Sequence, residues 1–141
     1  MNDITINELK MYSPNQVLLG SLFGGPLAML FFLWNNFKTL GKSNEAKFTV
    51  IYGIVFIMAL ITLLQFIPQQ IPGIVIQVVY SLCALQIVNS MQMSKEDIEQ
   101  TANYSFQSNW RVLAYGVCLY IMWFAIIYPT TNFLAALGVI N

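Results

Sequence analysis

The stretch SPNQVLLGSLFGGPLAMLFFLWNNFKTLG, Ser13 to Gly41, decides the fold. Ser13 stands three residues before Gln16 with Pro14 between them. That spacing predicts a capped helix start, in which the serine hydroxyl accepts from an early amide and the glutamine side chain reaches back to the Ser13 N–H. Proline suits the first helical position, where its missing donor is not needed. From Val17 to Phe37 no residue is charged, and at about 1.5 Å per residue such a run covers the roughly 30 Å hydrocarbon layer of a bilayer. The run is read as a full crossing, the first of four spans, over about 14–37, in preference to a re-entrant Gly24-Gly25-Pro26 that would reverse the N-terminus, because the apolar run continues uninterrupted after Pro26.

Within it Gly20, Ser21, Gly24, Gly25 and Ala28 recur at spacings of three and four, a small-residue face that lets another backbone approach closely. Pro26 withdraws one amide and crowds the preceding turn, so a kink is expected there. A cleaved leader is not expected: the run has no short apolar core before an A-x-A-like site and ends in Trp34-Asn35-Asn36.

Composition fixes the solvent. Hydrophobic residues make up 57% of the 141 and charged residues only 9%, against about 25% charged in ordinary soluble domains, so the lipid bilayer is the first partner. Lys plus Arg and Asp plus Glu both number six, so the informative property is where charges sit, not their sum. Cys83 and Cys118 fall inside predicted spans and behave there as small hydrophobes, with neither metal-ligand spacing nor a disulfide framework.

Before the first span, residues 1–12 form a polar arm with scattered apolar residues (Ile4, Ile6, Leu9, Met11, Tyr12), frayed or resting on the membrane surface. After it, Lys38, Lys42 and Lys47 mark a short basic loop. A second uncharged run, 48–67, ends at Pro68-Gln69-Gln70-Ile71-Pro72, a turn that stops one helix and starts the next. The third span, 73–93, is the most polar, with Gln77 and Ser81 one turn apart and Gln86 on nearly the opposite face. A carboxamide in hydrocarbon needs a partner, so Gln77 should face protein or water. Ser94-Lys95-Glu96-Asp97 reads as a new helix start with acids in its first turn, opening a surface helix over about 95–102. Asn103 to Gln107 reads as loop, and Ser108 caps a fourth span over about 110–128 that Pro129 closes. Residues 130–141 are an apolar stub too short to cross.

The fold class that follows is all-α: a polytopic integral membrane protein with four transmembrane helices in a small bundle. Lys38, Lys42 and Lys47 in the first loop and Lys95 and Arg111 in the third outnumber Lys10 on the other side. The positive-inside rule then places loops one and three in the cytoplasm and both termini outside. Trp34, Trp110, Tyr12 and Tyr128 sit where interfacial aromatic anchors belong.

Four short motifs, Ser13-Pro14-x-Gln16, Gly24-Gly25-Pro26-Leu27-Ala28, Asn36-Phe37 with Leu40-Gly41, and Trp110-Arg111, occur in this order. Together they make the chain resemble a set of small, uncharacterised bacterial inner-membrane proteins. The resemblance implies a bacterial cytoplasmic membrane and carries no reaction, ligand or catalytic residue with it.

Catalysis has little to work with. No acid, lysine or histidine lies inside a predicted span, so no catalytic residue, cofactor or metal ligand is assigned, and an enzyme is not expected. Three lysines in one loop do not make a nucleic-acid surface. Two function classes remain. One is a binding or accessory protein that engages a partner, or a second copy of itself, through the small-residue face of helix 1, as a complex subunit or the antagonist of a membrane-acting toxin would. The other is a homo-oligomeric channel or transporter for a small solute or ion built around Gln77, Ser81 and the Pro26 break.

Overall fold

The computed structural model describes residues 8–68 and 70–138. In order these form β1 (Leu9–Met11), α1 (Pro14–Thr39), α2 (Ser43–Leu64), α3 (Gly73–Met91), α4 (Lys95–Gln100), β2 (Tyr104–Phe106) and α5 (Asn109–Ala136). The fold is all-α, and α1, α2, α3 and α5 are each long and apolar enough to cross a membrane. Of the arm and the stub, Ile4, Ile6, Val139 and Ile140 lie outside the described residues.

Helix α1 is the hub. It packs against α2, α3 and α5, which touch one another sparingly. Of its most apolar window 56% is buried, against 17, 22 and 11% in the other three, so the outer helices turn most of their side chains outward and α1 supplies the core.

The hub is not the straight crossing read from the sequence. Gly25 has φ 76° and ψ −173°, a break between two helical halves, and the halves run back to back. Tyr12, just before α1, donates its N–H to Asn36 Oδ1 (2.9 Å), and Asn36 Nδ2 donates to the Tyr12 carbonyl (2.8 Å). An unbroken helix would hold those residues roughly 36 Å apart. The rings of Tyr12 and Phe32 meet edge-on at 4.7 Å, and a Cβ on Gly20 would run into the Phe32 ring. Residues 14–24 and 26–39 are therefore the two legs of a helical hairpin with Gly25 at its tip.

The tip is written in local chemistry. The φ/ψ of Gly25 belongs to a region essentially reserved for glycine, and Pro26 next to it is the first residue of the second leg, where a proline ring is already set for a helix. Pro26 thus starts the second leg, and the bend expected there is a full reversal. A non-helical turn at membrane depth is tolerated only where protein covers it, and Gly24, Gly25 and Pro26 are all buried, with Trp123 of α5 directly beneath Gly25. Below the tip Leu60, Ile61 and Trp123 close the interior with an apolar layer.

Because α1 folds back, the arm joins the opposite side from the one expected. β1 pairs in parallel with β2, Lys10 standing opposite Ser105, so the arm and the third loop share a face. Neither three-residue strand was read from the sequence. Tyr12 is 2% exposed and forms part of the core, where an interfacial anchor was expected; Trp110 (77%) and Tyr128 (71%) do stand on the surface.

Other bounds shift for local reasons. α2 begins at Ser43 and includes Lys47, with Glu45 favourably placed in its first turn, so the basic loop shrinks to three residues, 40–42. The surface helix ends at Gln100. Pro129 does not close α5, which continues to Ala136. The hydroxyls of Thr130 and Thr131 donate to the carbonyls of Ile126 (2.7 Å) and Tyr128 (2.9 Å) in the turn around Pro129, keeping both hydroxyls satisfied within the apolar helix. Gly138, at φ 69°, then stands where helices commonly end on glycine.

Candidate functional site

The helix-start motifs build one polar end of the molecule. The Ser13 hydroxyl accepts from the Gln16 N–H (3.2 Å) while Gln16 Oε1 accepts from the Ser13 N–H (2.9 Å). The other side of the Gln16 carboxamide donates to the Gln107 carbonyl and to Asn109 Oδ1, both at 2.7 Å, which ties the start of α1 to the start of α5. A similar box joins Ser94 and Asp97 at α4, and the hydrogen bonds from Ser94 hold the Asp97 carboxyl below its ordinary range. Asn36, 0% exposed, is the centre of the lock: besides Tyr12 it donates to Gln92 Oε1 (2.9 Å), and Gln92 Nε2 donates to the Leu33 carbonyl (3.0 Å). Two carboxamides thus fasten the arm, the second leg of α1 and the end of α3 together.

All six Lys and Arg residues stand at this end. Lys38 lies over the Trp34 ring, 4.9 Å from its centroid. Lys42 Nζ donates to the Met91 carbonyl at 2.6 Å, Lys95 pairs with Glu99 at 3.5 Å, and an Arg111 guanidinium N–H donates to Gln107 Oε1 at 3.3 Å. Lys10 sits in β1 and Lys47 in the second turn of α2. The opposite end carries no charged residue among those described.

The small-residue face is consumed inside the chain. Gly20 accommodates Phe32, and Gly24 is wedged between Ala28 and the backbone of Gly116 on α5. Ser21 and Ala28 are fully buried, and the Ser21 hydroxyl donates to the Val17 carbonyl at 2.6 Å. This face therefore builds the hairpin and its seat on α5. The intramembrane polar residues do not converge: Gln77 is half-buried, Ser81 is buried with its hydroxyl unbonded, and Gln86 is exposed on another side of α3. Cys83 and Cys118 are exposed free thiols.

What the sequence reading missed is a cleft. α2 and α3 both lean on the second leg of α1 and leave between them a hollow of about 600 Å³, within the roughly 300–1,000 Å³ of small-molecule sites. Met29, Leu30 and Leu33 of α1 line its floor. Phe48, Tyr52 and Phe56 form one wall, and Val79, Cys83 and Ile87 the other. At its mouth, on the charged end, stands half-buried Glu45, the only charged residue in the lining. A second hollow of about 470 Å³ lies between the starts of α1 and α5, where the side chains of Gln16 and Asn109 already bond to each other.

Taken together, the four apolar helices and the one-ended charge define a polytopic helical membrane protein. No protein-family model, no curated protein and no solved structure matches the chain.

Proposed function

We propose that this chain is a non-enzymatic binding or accessory protein of the bacterial cytoplasmic membrane that takes a membrane-borne component into the cleft between α2 and α3. The observation that supports this reading is the cleft itself: the small-residue face of α1 is already occupied by the chain's own helices, whereas the cleft is open and almost wholly apolar. A binding role also suits spans without an acid–base pair. A channel has less to build on within one chain, because Gln77, Ser81 and Gln86 do not converge.

Filling the cleft tests this. Cys83→Trp places a bulky ring on the exposed α3 wall, away from the buried core. Wild-type protein extracted in mild detergent should carry a component, identified by mass spectrometry, that the Trp variant loses while keeping its helical circular dichroism. Equal retention by both proteins would refute the cleft as the binding element.

The gathering of all six basic residues at one end supports a cytoplasmic orientation for that end. With α1 turned back on itself, the chain crosses three times, through α2, α3 and α5, with β1 inside and the α2–α3 turn outside. In a background with Cys83 and Cys118 replaced by Ser, a membrane-impermeant maleimide applied to intact spheroplasts should label Gln70→Cys and spare Lys10→Cys until the membrane is opened. Labelling of Lys10→Cys in sealed cells would overturn the orientation.

A further inference from the structure

We infer that the cleft between α2 and α3 is a site for one phospholipid with a primary ammonium headgroup, drawn from the leaflet on the charged side; this rests on the reading of the cleft as the binding element. Depth is the first argument. From Glu45 at the mouth to Phe56 at the bottom the α2 wall is twelve residues, or eleven helical steps, as is the α3 wall from Met91 to Tyr80. At 1.5 Å per residue that is roughly 16 Å, about half of a hydrocarbon layer roughly 30 Å thick. The cleft therefore runs from headgroup level to the bilayer midplane, the length of one leaflet's acyl chain.

The mouth supplies the second argument. Glu45 forms no salt bridge among the described residues, although its own carbonyl is bonded by the Thr49 hydroxyl at 2.8 Å. Lys42 lies three residues before it and uses one donor on the Met91 carbonyl across the mouth, leaving two of its three. A carboxylate beside an ammonium group above an apolar slot complements a zwitterion. The headgroup ammonium meets Glu45, the phosphate meets Lys42, and a chain lies on Leu30, Leu33 and Val79. A primary ammonium donates hydrogen bonds to the carboxylate; a choline headgroup has no such donor, and a glycerol headgroup brings no positive charge.

Native mass spectrometry of protein released from nanodiscs containing equal parts phosphatidylethanolamine, phosphatidylcholine and phosphatidylglycerol tests this. Wild type should retain one phosphatidylethanolamine per chain, preferred about tenfold over the other two, as one charge-assisted hydrogen bond allows. Glu45→Gln should bring that preference to near unity while a lipid is still retained, and Cys83→Trp should abolish retention of all three. If Glu45→Gln leaves the preference unchanged, or wild type shows none, while Cys83→Trp still empties the cleft, the headgroup assignment is wrong and the cleft remains a binding site. If Cys83→Trp retains lipid as wild type does, the cleft reading itself falls.

Discussion

Gly24→Ala should lower the thermal midpoint of the detergent-solubilised protein sharply, whereas Gly116→Ala, on the facing helix, should leave it level or raise it. The two glycines face each other and are not equivalent. A Cβ on Gly24 would sit 2.9 Å from the Gly116 Cα, 3.0 Å from its carbonyl oxygen and 2.5 Å from the Ala28 Cβ. Two of those neighbours are backbone, so relief requires moving α5 away from the hairpin, an overpacking that typically costs about 1–3 kcal/mol. A Cβ on Gly116 meets only the Gly24 Cα, at 4.0 Å, an ordinary contact, and alanine is favoured over glycine inside a helix by roughly 0.5–1 kcal/mol. Gly24→Leu, the obvious probe of a small-residue docking face, would on this geometry break the chain's own fold before it reported on any partner. Equal effects at 24 and 116 would place the close contact elsewhere.

Asn36→Leu should be the most damaging single change at the polar end. Leucine has the branched heavy-atom skeleton of asparagine, with methyl groups bulkier than the amide nitrogen and oxygen, so packing alone predicts a modest overpacking loss. It would, however, strand the Tyr12 N–H and carbonyl and Gln92 Oε1. Each polar group left buried and unpaired costs about 1–3 kcal/mol, against a total stability of roughly 5–15 kcal/mol. Hydrogen exchange should show the arm and the end of α3 losing protection together, because one side chain holds both. Loss of protection confined to α1 would mean that the lock is local.

Much of this architecture was legible in the sequence, and the failure has a definite cause. The Ser13, Ser94 and Ser108 caps and the four apolar runs are local patterns, and each appears where its residues put it. A re-entrant turn at Gly24-Gly25-Pro26 was the alternative set aside, because the apolar run continues past Pro26 and length cannot distinguish one passage of 26 residues from two half-length passages. Two signals were nevertheless present. Gly25 followed by Pro26 is a helix stop joined to a helix start, and folding the run back moves Lys10 to the side of the other five basic residues, turning a majority of charges into unanimity. Asn36 carried a further signal, since a carboxamide ending an apolar run needs a partner. The β1–β2 pair left none, because three residues are too few for an alternating pattern. The cleft is not a sequence property at all: it exists because α2 and α3 each pack on α1 and meet one another only sparingly, as where Phe56 and Tyr80 touch edge-on.

The hairpin in α1 underlies the orientation, the buried small-residue face and the cleft floor alike, and one distance tests it. With Cys83 and Cys118 replaced by Ser, spin labels at Asn15→Cys and Lys38→Cys, both exposed positions, can be measured by double electron–electron resonance. Legs packed side by side stand about 10 Å apart between axes, so the label separation should peak near 20 Å or less. A population centred near the roughly 35 Å of a continuous helix would contradict the hairpin and everything built on it.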